Sequence, residues 1–248
     1  MGLKISQLTG GYTRTPVIKD ISLDVDDGEI IGLIGLNGAG KSTTIKHIMG
    51  LMTPFSGEIE VDGLTMTEDP VNYRKKLAFI PETPMVYRNL TLKEHLEITA
   101  MAYDIAFETV MKRAEPLLEL FRLEQRLDWF PSDFSKGMMQ KVMIILALVT
   151  DPDLMVVDEP FIGLDPIAIM DFEELLLLEK AKGKAILMST HVLQNAENMC
   201  DSFVILHNGL VYAKGTVPEL AKEFQMPDAD LEAIYRHVAL EAGFRHDA

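Results

Sequence analysis

Residues 35–42 read GLNGAGKS, set between the apolar run EIIGLI and the segment TTIKHIMGLM. No other feature constrains the fold as tightly. A strand must deliver this segment, a helix must follow it, and the turn between them must aim backbone N–H groups at a common point. Gly35, Gly38 and Gly40 give the backbone room to curl, and Leu36, Asn37 and Ala39 complete the loop. Such a loop, with a helix dipole behind it, attracts phosphate. Lys41 supplies a cation to bridge β- and γ-phosphates, Ser42 a hydroxyl for Mg2+, and Thr43 a second hydroxyl nearer the α-phosphate. The alternative is a glycine-rich turn that precedes a helix for packing alone.

A loop of this kind needs an α/β frame around it, and the patterning of the chain provides one. LKISQL, IKDISLDV and GEIEVDG predict strands and hairpins in an antiparallel N-terminal β-subdomain. From Thr91 the pattern becomes helical: Thr91 and Glu94 have capping-box spacing, and LKEHLEITAMAY and ETVMKRAEPLLELFRL repeat at helical intervals. DLMVVD and KAILMST are apolar throughout, as parallel strands buried on both faces tend to be, and SFVILHNG predicts a further strand. DFEELLLLEKAKG, between the first two, predicts an acidic helix with Glu173, Glu174 and Glu179 on a wet face. The expected fold class is α/β: a P-loop core with a mixed, partly parallel sheet, that β-subdomain, and an inserted helical subdomain. Its boundaries are 1–84 and 153–215 for the core with the β-subdomain, 85–152 for the helical insert, and 216–248 for a helical tail.

With 248 residues, 48% of them hydrophobic, the chain has the apolar side chains such a core needs. Thirty-eight acidic against 23 basic residues give a net charge of −15 without any Lys/Arg run, which argues against nucleic acid as a partner. The longest apolar run, residues 142–149, is too short to cross a bilayer, and residues 1–20 lack a signal-peptide core. The expected location is the cytoplasm. Cys200 is the single cysteine, which excludes an internal disulfide and a cysteine zinc site. His47, His95, His207, His237 and His246 show no ligand spacing and are expected in solvated or local structural roles.

Asp158 and Glu159 end the apolar run LMVVDE. Beside a phosphate loop, an aspartate at a strand's carboxyl end can hold Mg2+ through water, and the next glutamate can polarise the attacking water. A buried strand leading into an acidic helix cap would look similar. His191, after ILMST, reaches the same sheet edge, where it can contact the γ-phosphate and orient that water; a satisfied core histidine is the alternative. In FSKGMMQK, residues 134–141, Ser135 is a good N-cap and Gly137 keeps the first helical turn bare. That helix end either binds an anion or is an ordinarily capped core helix.

The order GLNGAGKS, FSKGMMQK, LMVVDEP, FIGLD and STH resembles the ATP-binding subunits of ABC transporters, over nearly the whole chain. The resemblance implies an ATPase that uses ATP and Mg2+, with Lys41, Glu82, Glu159 and His191 as catalytic residues. It also implies that FSKGMMQK is the signature segment, whose Ser135 and Gly137 contact the γ-phosphate held by a second copy. Two ATP molecules would be buried between head-to-tail subunits. Tyr12 in GGYTRTP matches the aromatic residue that stacks on adenine, and Asp165 in FIGLD falls at the dimer seam. Partners implied are a second ATPase subunit in the ATP-bound state and an integral-membrane permease seated near residues 82–89, which puts the chain at the cytoplasmic face of a membrane. Glu82 in FIPETP stands where most relatives carry glutamine; it is expected to ligate Mg2+ or water and, by its charge, to slow hydrolysis. A turn acid with no ligand role is the alternative. Lys136 and Met138 also depart from the usual signature. These variants and the tail EFQMPDADL are most similar to the Ecs type within the family, for which an export or secretion role is implied. The competing readings are a soluble ATPase of the same family, or a weakly hydrolysing nucleotide-binding regulator without a permease.

Overall fold

The computed structural model describes residues 2–241. β1 (Leu3–Tyr12) pairs antiparallel with β2 (Thr15–Val25), and β3 (Ile30–Ile34) leads through the glycine loop into α1 (Lys41–Ile48). β4 (Ser56–Val61), β5 (Leu64–Thr65), α2 (Pro70–Lys75) and β6 (Leu77–Ile80) follow. The helical insert consists of α3 (Leu92–Tyr103), α4 (Phe107–Leu120) and α5 (Lys136–Leu148). Strands and helices then alternate: β7 (Leu154–Asp158), α6 (Pro166–Ala181), β8 (Ala185–Ser189), α7 (Leu193–Met199) and β9 (Ser202–His207). β10 (Leu210–Gly215), α8 (Val217–Glu223) and α9 (Leu231–Glu241) complete the described chain.

One sheet has the order β2-β1-β4-β5 and the other β10-β9-β3-β8-β7-β6. In the larger sheet β9, β3, β8, β7 and β6 run parallel, with β10 as an antiparallel edge. Successive side chains of a strand point to opposite faces, so both faces of these strands must be apolar if both are covered. They are. Ile31, Leu33, Val156 and Leu187 join a core with the smaller sheet and α1, while Ile30, Val157, Ile186 and Met188 join one with the helical insert and α9. Consequently β3, β8, β7 and β6, about 4.8 Å apart, end side by side on one edge, where open α/β sheets carry their ligands.

The expected capping box forms at Thr91 with Glu94, and a second forms at Thr216 with Glu219. α6 starts earlier than its acidic segment, because Asp165 accepts a hydrogen bond from the Ala168 N–H and Pro166 fits the first turn. Its wet face needs correction. Glu174 is exposed as expected, but Glu179 is buried and bonded to Lys182 at 2.6 Å, Glu173 accepts from the Asn195 amide, and Leu177 and Leu178 are exposed instead. Phe172 and Leu176 turn inward, and Glu179 shares their stripe at helical spacing. His47 and His95 are buried in local structural roles rather than solvated. His246 and the tail beyond residue 241 lie outside the described residues.

Candidate functional site

β3 is buried along its length, and the chain turns as soon as it ends. At Gly35 a Cβ would sit 2.6 Å from the Leu206 carbonyl oxygen, so only glycine allows β9 to come this close. Gly38 and Gly40 have φ of +82° and +112°, a region that L side chains rarely adopt. Gly40 is the N-cap of α1 and offers no side-chain cap, so the first-turn N–H groups stay open. Leu36, Asn37 and Gly38 form an exposed rim over buried Ala39. The result is a concave, N–H-lined cradle suited to phosphate. The buried Lys41 folds over it, its Nζ donating to the Gly35 carbonyl at 2.6 Å. Ser42 is exposed at the head of the helix and Thr43 is buried behind it.

α1 packs against β7, whose last residue, Asp158, stands in register with Ser189 of β8. The Ser189 hydroxyl donates to the Asp158 carboxylate and orients it. Glu159 follows with φ of +46°, and that turn sends its side chain to the end of β8. There Glu159 Oε2 accepts from the His191 N–H at 3.1 Å and from His191 Nδ1 at 2.7 Å. The acid is sheltered, its side chain 12% exposed, whereas the imidazole is 63% exposed and keeps Nε2 for a partner. Gly35, Leu36, Asn37, Glu82, Glu159, Thr190 and His191 share the wall of one cavity of about 420 Å3. Thus Glu82, Glu159 and His191 come together with the loop, and Asp158 and Ser42 stand just outside the wall.

Among the described residues no three His, Cys, Asp or Glu side chains gather into a metal-binding group. Mg2+ does not require one, since it keeps several waters and takes one or two protein oxygens beside substrate phosphates. The Ser42 hydroxyl and the Asp158 carboxylate, on α1 and the adjoining β7, fit that donor set.

Tyr12 ends β1 with its ring half exposed. Lys46, one helical turn beyond Ser42, donates to the Tyr12 hydroxyl at 2.9 Å and lies 5.4 Å from the ring centroid. Its hydrogen bond and charge hold the phenol below its ordinary pKa and fix the ring beside α1.

Ser135 caps α5, its Oγ accepting from the Met138 N–H at 3.2 Å. Gly137 abuts the FIGLD turn, where a Cβ would lie 2.4 Å from the Gly163 oxygen. Lys141 of α5 pairs with Asp165 at 3.1 Å, and the Ala168 N–H with Lys141 keeps that carboxyl below the usual range. The signature helix and the FIGLD turn are therefore clasped together within one chain. Ser135, Gly137 and Asp165 do not line the cavity that holds Glu159 and His191.

Sequence reasoning missed several supporting residues. Ser189 is signalled only by its register against Asp158. Lys46 is signalled by its spacing from Ser42. Gln140 carried no signal: it is fully buried and its amide donates to the Pro81 carbonyl at 3.0 Å, tying α5 to the loop that holds Glu82.

The chain matches the family described as ABC transporter over residues 18–162. It is 55% identical over 239 residues to the ABC-type transporter ATP-binding protein EcsA of Bacillus subtilis (strain 168), covering 96% of this chain and 97% of that one. A solved ATP-binding subunit of an ABC transporter is similar with a TM-score of 0.94 and 51% identity, over 96% of this chain and all of the other. An ATP-binding cassette solved as a dimer in a post-hydrolysis state, bound to ADP and Pi, is similar with a TM-score of 0.78 and 25% identity, over 86% of this chain and 98% of that one. Taken with the loop, the sheet-edge carboxylates and the capped signature helix, these likenesses place the chain in the ABC transporter family, as an ATP-binding subunit of the ATPase type.

Proposed function

We propose that the chain binds MgATP in its own half of a site, pairs head to tail with a second copy, and drives an integral-membrane permease through its hydrolysis cycle. One observation carries this reading: the two helix ends suited to anions are apart. α1 opens beside the cavity of Glu159 and His191, while Ser135 at the head of α5 is outside it. A partner's Ser135 and Gly137 would close over the γ-phosphate, completing each site in trans.

The roles follow from chemistry. Tyr12 stacks on adenine. Residues 35–43 hold the phosphates, Lys41 exchanging its bond to the Gly35 carbonyl for phosphate oxygens. Ser42, and Asp158 through water, would hold Mg2+, which would supply neutralisation of phosphate charge. On ATP binding His191 gives up its Nδ1 bond to Glu159 and takes the Nε2–H tautomer, which donates toward the γ-phosphate, and the freed Glu159 accepts the proton of the attacking water. Glu82 adds a carboxylate to the same wall and tempers the rate. Asp165 meets the dimer seam from the clasped FIGLD turn. Loss of the γ-phosphate removes the anion that joins the two subunits, and the pair reopens.

For the permease, support comes from a groove of about 710 Å3 lined by Pro84, Met85, Val86, Tyr87, Arg88 and Met139. Met85 and Tyr87 are largely exposed, and His95 holds this loop by accepting from the Tyr87 N–H at 2.9 Å. No helix among the described residues is long and apolar enough to cross a membrane. The Bacillus relative's name as a transporter subunit and the dimeric state of the post-hydrolysis cassette support the same assembly here.

Glu159→Gln is expected to lower ATP turnover at least ~100-fold, the scale of a lost general base. Native turnover no faster than the variant's contradicts the assignment. Purification from detergent-solubilised membranes should bring down an equimolar multi-span protein; its repeated absence contradicts the permease.

A further inference from the structure

We propose that Tyr235, on the C-terminal helix α9, is a positioning residue for hydrolysis: its ring braces the segment carrying His191, so that docking of the tail sets turnover. The inference rests on the role given to His191 above.

α9 lies outside the residues that match the family, and it is firmly seated. Leu231, Ile234 and Val238 are fully buried at helical spacing, and Asp230 accepts from the Ala233 N–H at 2.8 Å at its start. α9 packs on α7, and Glu197 of α7 accepts from the Leu231 N–H at 3.1 Å. α7 begins at Leu193, two residues after His191, and its N-cap residue, Val192, provides no side-chain cap. That helix start needs support from outside. Tyr235, one position beyond the buried Ile234, reaches the cavity wall beside Leu193, Thr190 and His191. Tyr235 and Leu193 also pack against one core. Tyr235, on the anchored α9, and Leu193, at the start of α7, thus share one cavity wall and one core. The phenol, neutral like any tyrosine at ordinary pH, shares this wall with the acidic Glu82 and Glu159. An imidazole must be held to within a fraction of an ångström to orient water, and small misplacements cost rate rather than affinity.

Tyr235→Leu retains an apolar side chain on α9 but removes the ring; Tyr235→Phe keeps the ring. The leucine variant is expected to lose ~10-fold in kcat with KM for ATP within about twofold, and the phenylalanine variant to stay near native. In nucleotide-free protein, amide exchange over residues 190–196 should rise in the leucine variant and not in the phenylalanine one. In a His191→Ala background, Tyr235→Leu should cost nothing further. Full activity of Tyr235→Leu beside an impaired His191→Ala overturns the inference alone, as does an additive loss in the double variant or a phenylalanine variant as slow as leucine. Native turnover in His191→Ala would overturn the role of His191 and this inference with it.

Discussion

At the scale of the residue, Gly137 shows how much of the site is a matter of clearance. Its bare Cα suits an anion-facing helix start, and it also lets the FIGLD turn approach so closely that a methyl would meet the Gly163 oxygen at 2.4 Å. Gly137→Ala must push α5 off that turn and pull Lys141 from Asp165. Turnover is expected to fall ~10-fold or more, with nucleotide affinity of the single chain within about twofold, since Gly137 is outside the cavity; turnover assays and nucleotide titration check this. The residues to which the proposal gives chemistry were named from the sequence. Lys41, Ser42, Asp158, Glu159 and His191 are types that phosphate chemistry demands at strand ends. Gln140 and Tyr235 were not. Each matters through a contact with a distant segment, and nothing in its neighbours' pattern records that contact.

At the scale of the element, Asp151 joins the helical insert to the sheet. Its carboxylate pairs with Lys184, just before β8, at 2.8 Å and with Arg113 of α4 at 3.2 Å, and Arg113 also donates to the Val149 carbonyl. Lys184 first, then Arg113, holds this carboxyl below the ordinary range. A depressed carboxylate stabilises the fold above its unfolded pKa, about 3.9, and loses that contribution as pH falls through its lower folded value. Asparagine tolerates the φ of +56° at this position. Because the side chain is half exposed and solvent screens it, Asp151→Asn should cost only about 0.2–1 kcal/mol at pH 7. The difference should shrink as pH falls below the unfolded pKa and vanish once it has passed the lower folded value; urea unfolding over a descending pH series reads it. Long elements announced themselves through period and caps, as α3 and α5 do. β5, β6 and α7 did not, being too short to establish a period, and α7 has no side-chain cap to mark its start. α6 misled because Leu177 and Leu178 face outward while Glu179 turns in, against the usual partition.

At the scale of the whole molecule, the alternation of two apolar faces along the larger sheet was readable, and so was the edge on which its loops meet. What a single chain's sequence does not carry is the second half of the site that the proposal calls for. The clasp of α5 to the FIGLD turn presents Ser135 as one rigid face, and the cavity of Glu159 and His191 is the other. The direct measurement is the solution mass, by light scattering, of Glu159→Gln and of Glu159→Gln with Ser135→Arg, each saturated with ATP and Mg2+. The predicted result is a doubled mass for the first and a single-chain mass for the second, with equal nucleotide affinity in both. A Glu159→Gln protein that stays at single-chain mass, or a Ser135→Arg change that abolishes nucleotide binding by the isolated chain, would contradict completion in trans.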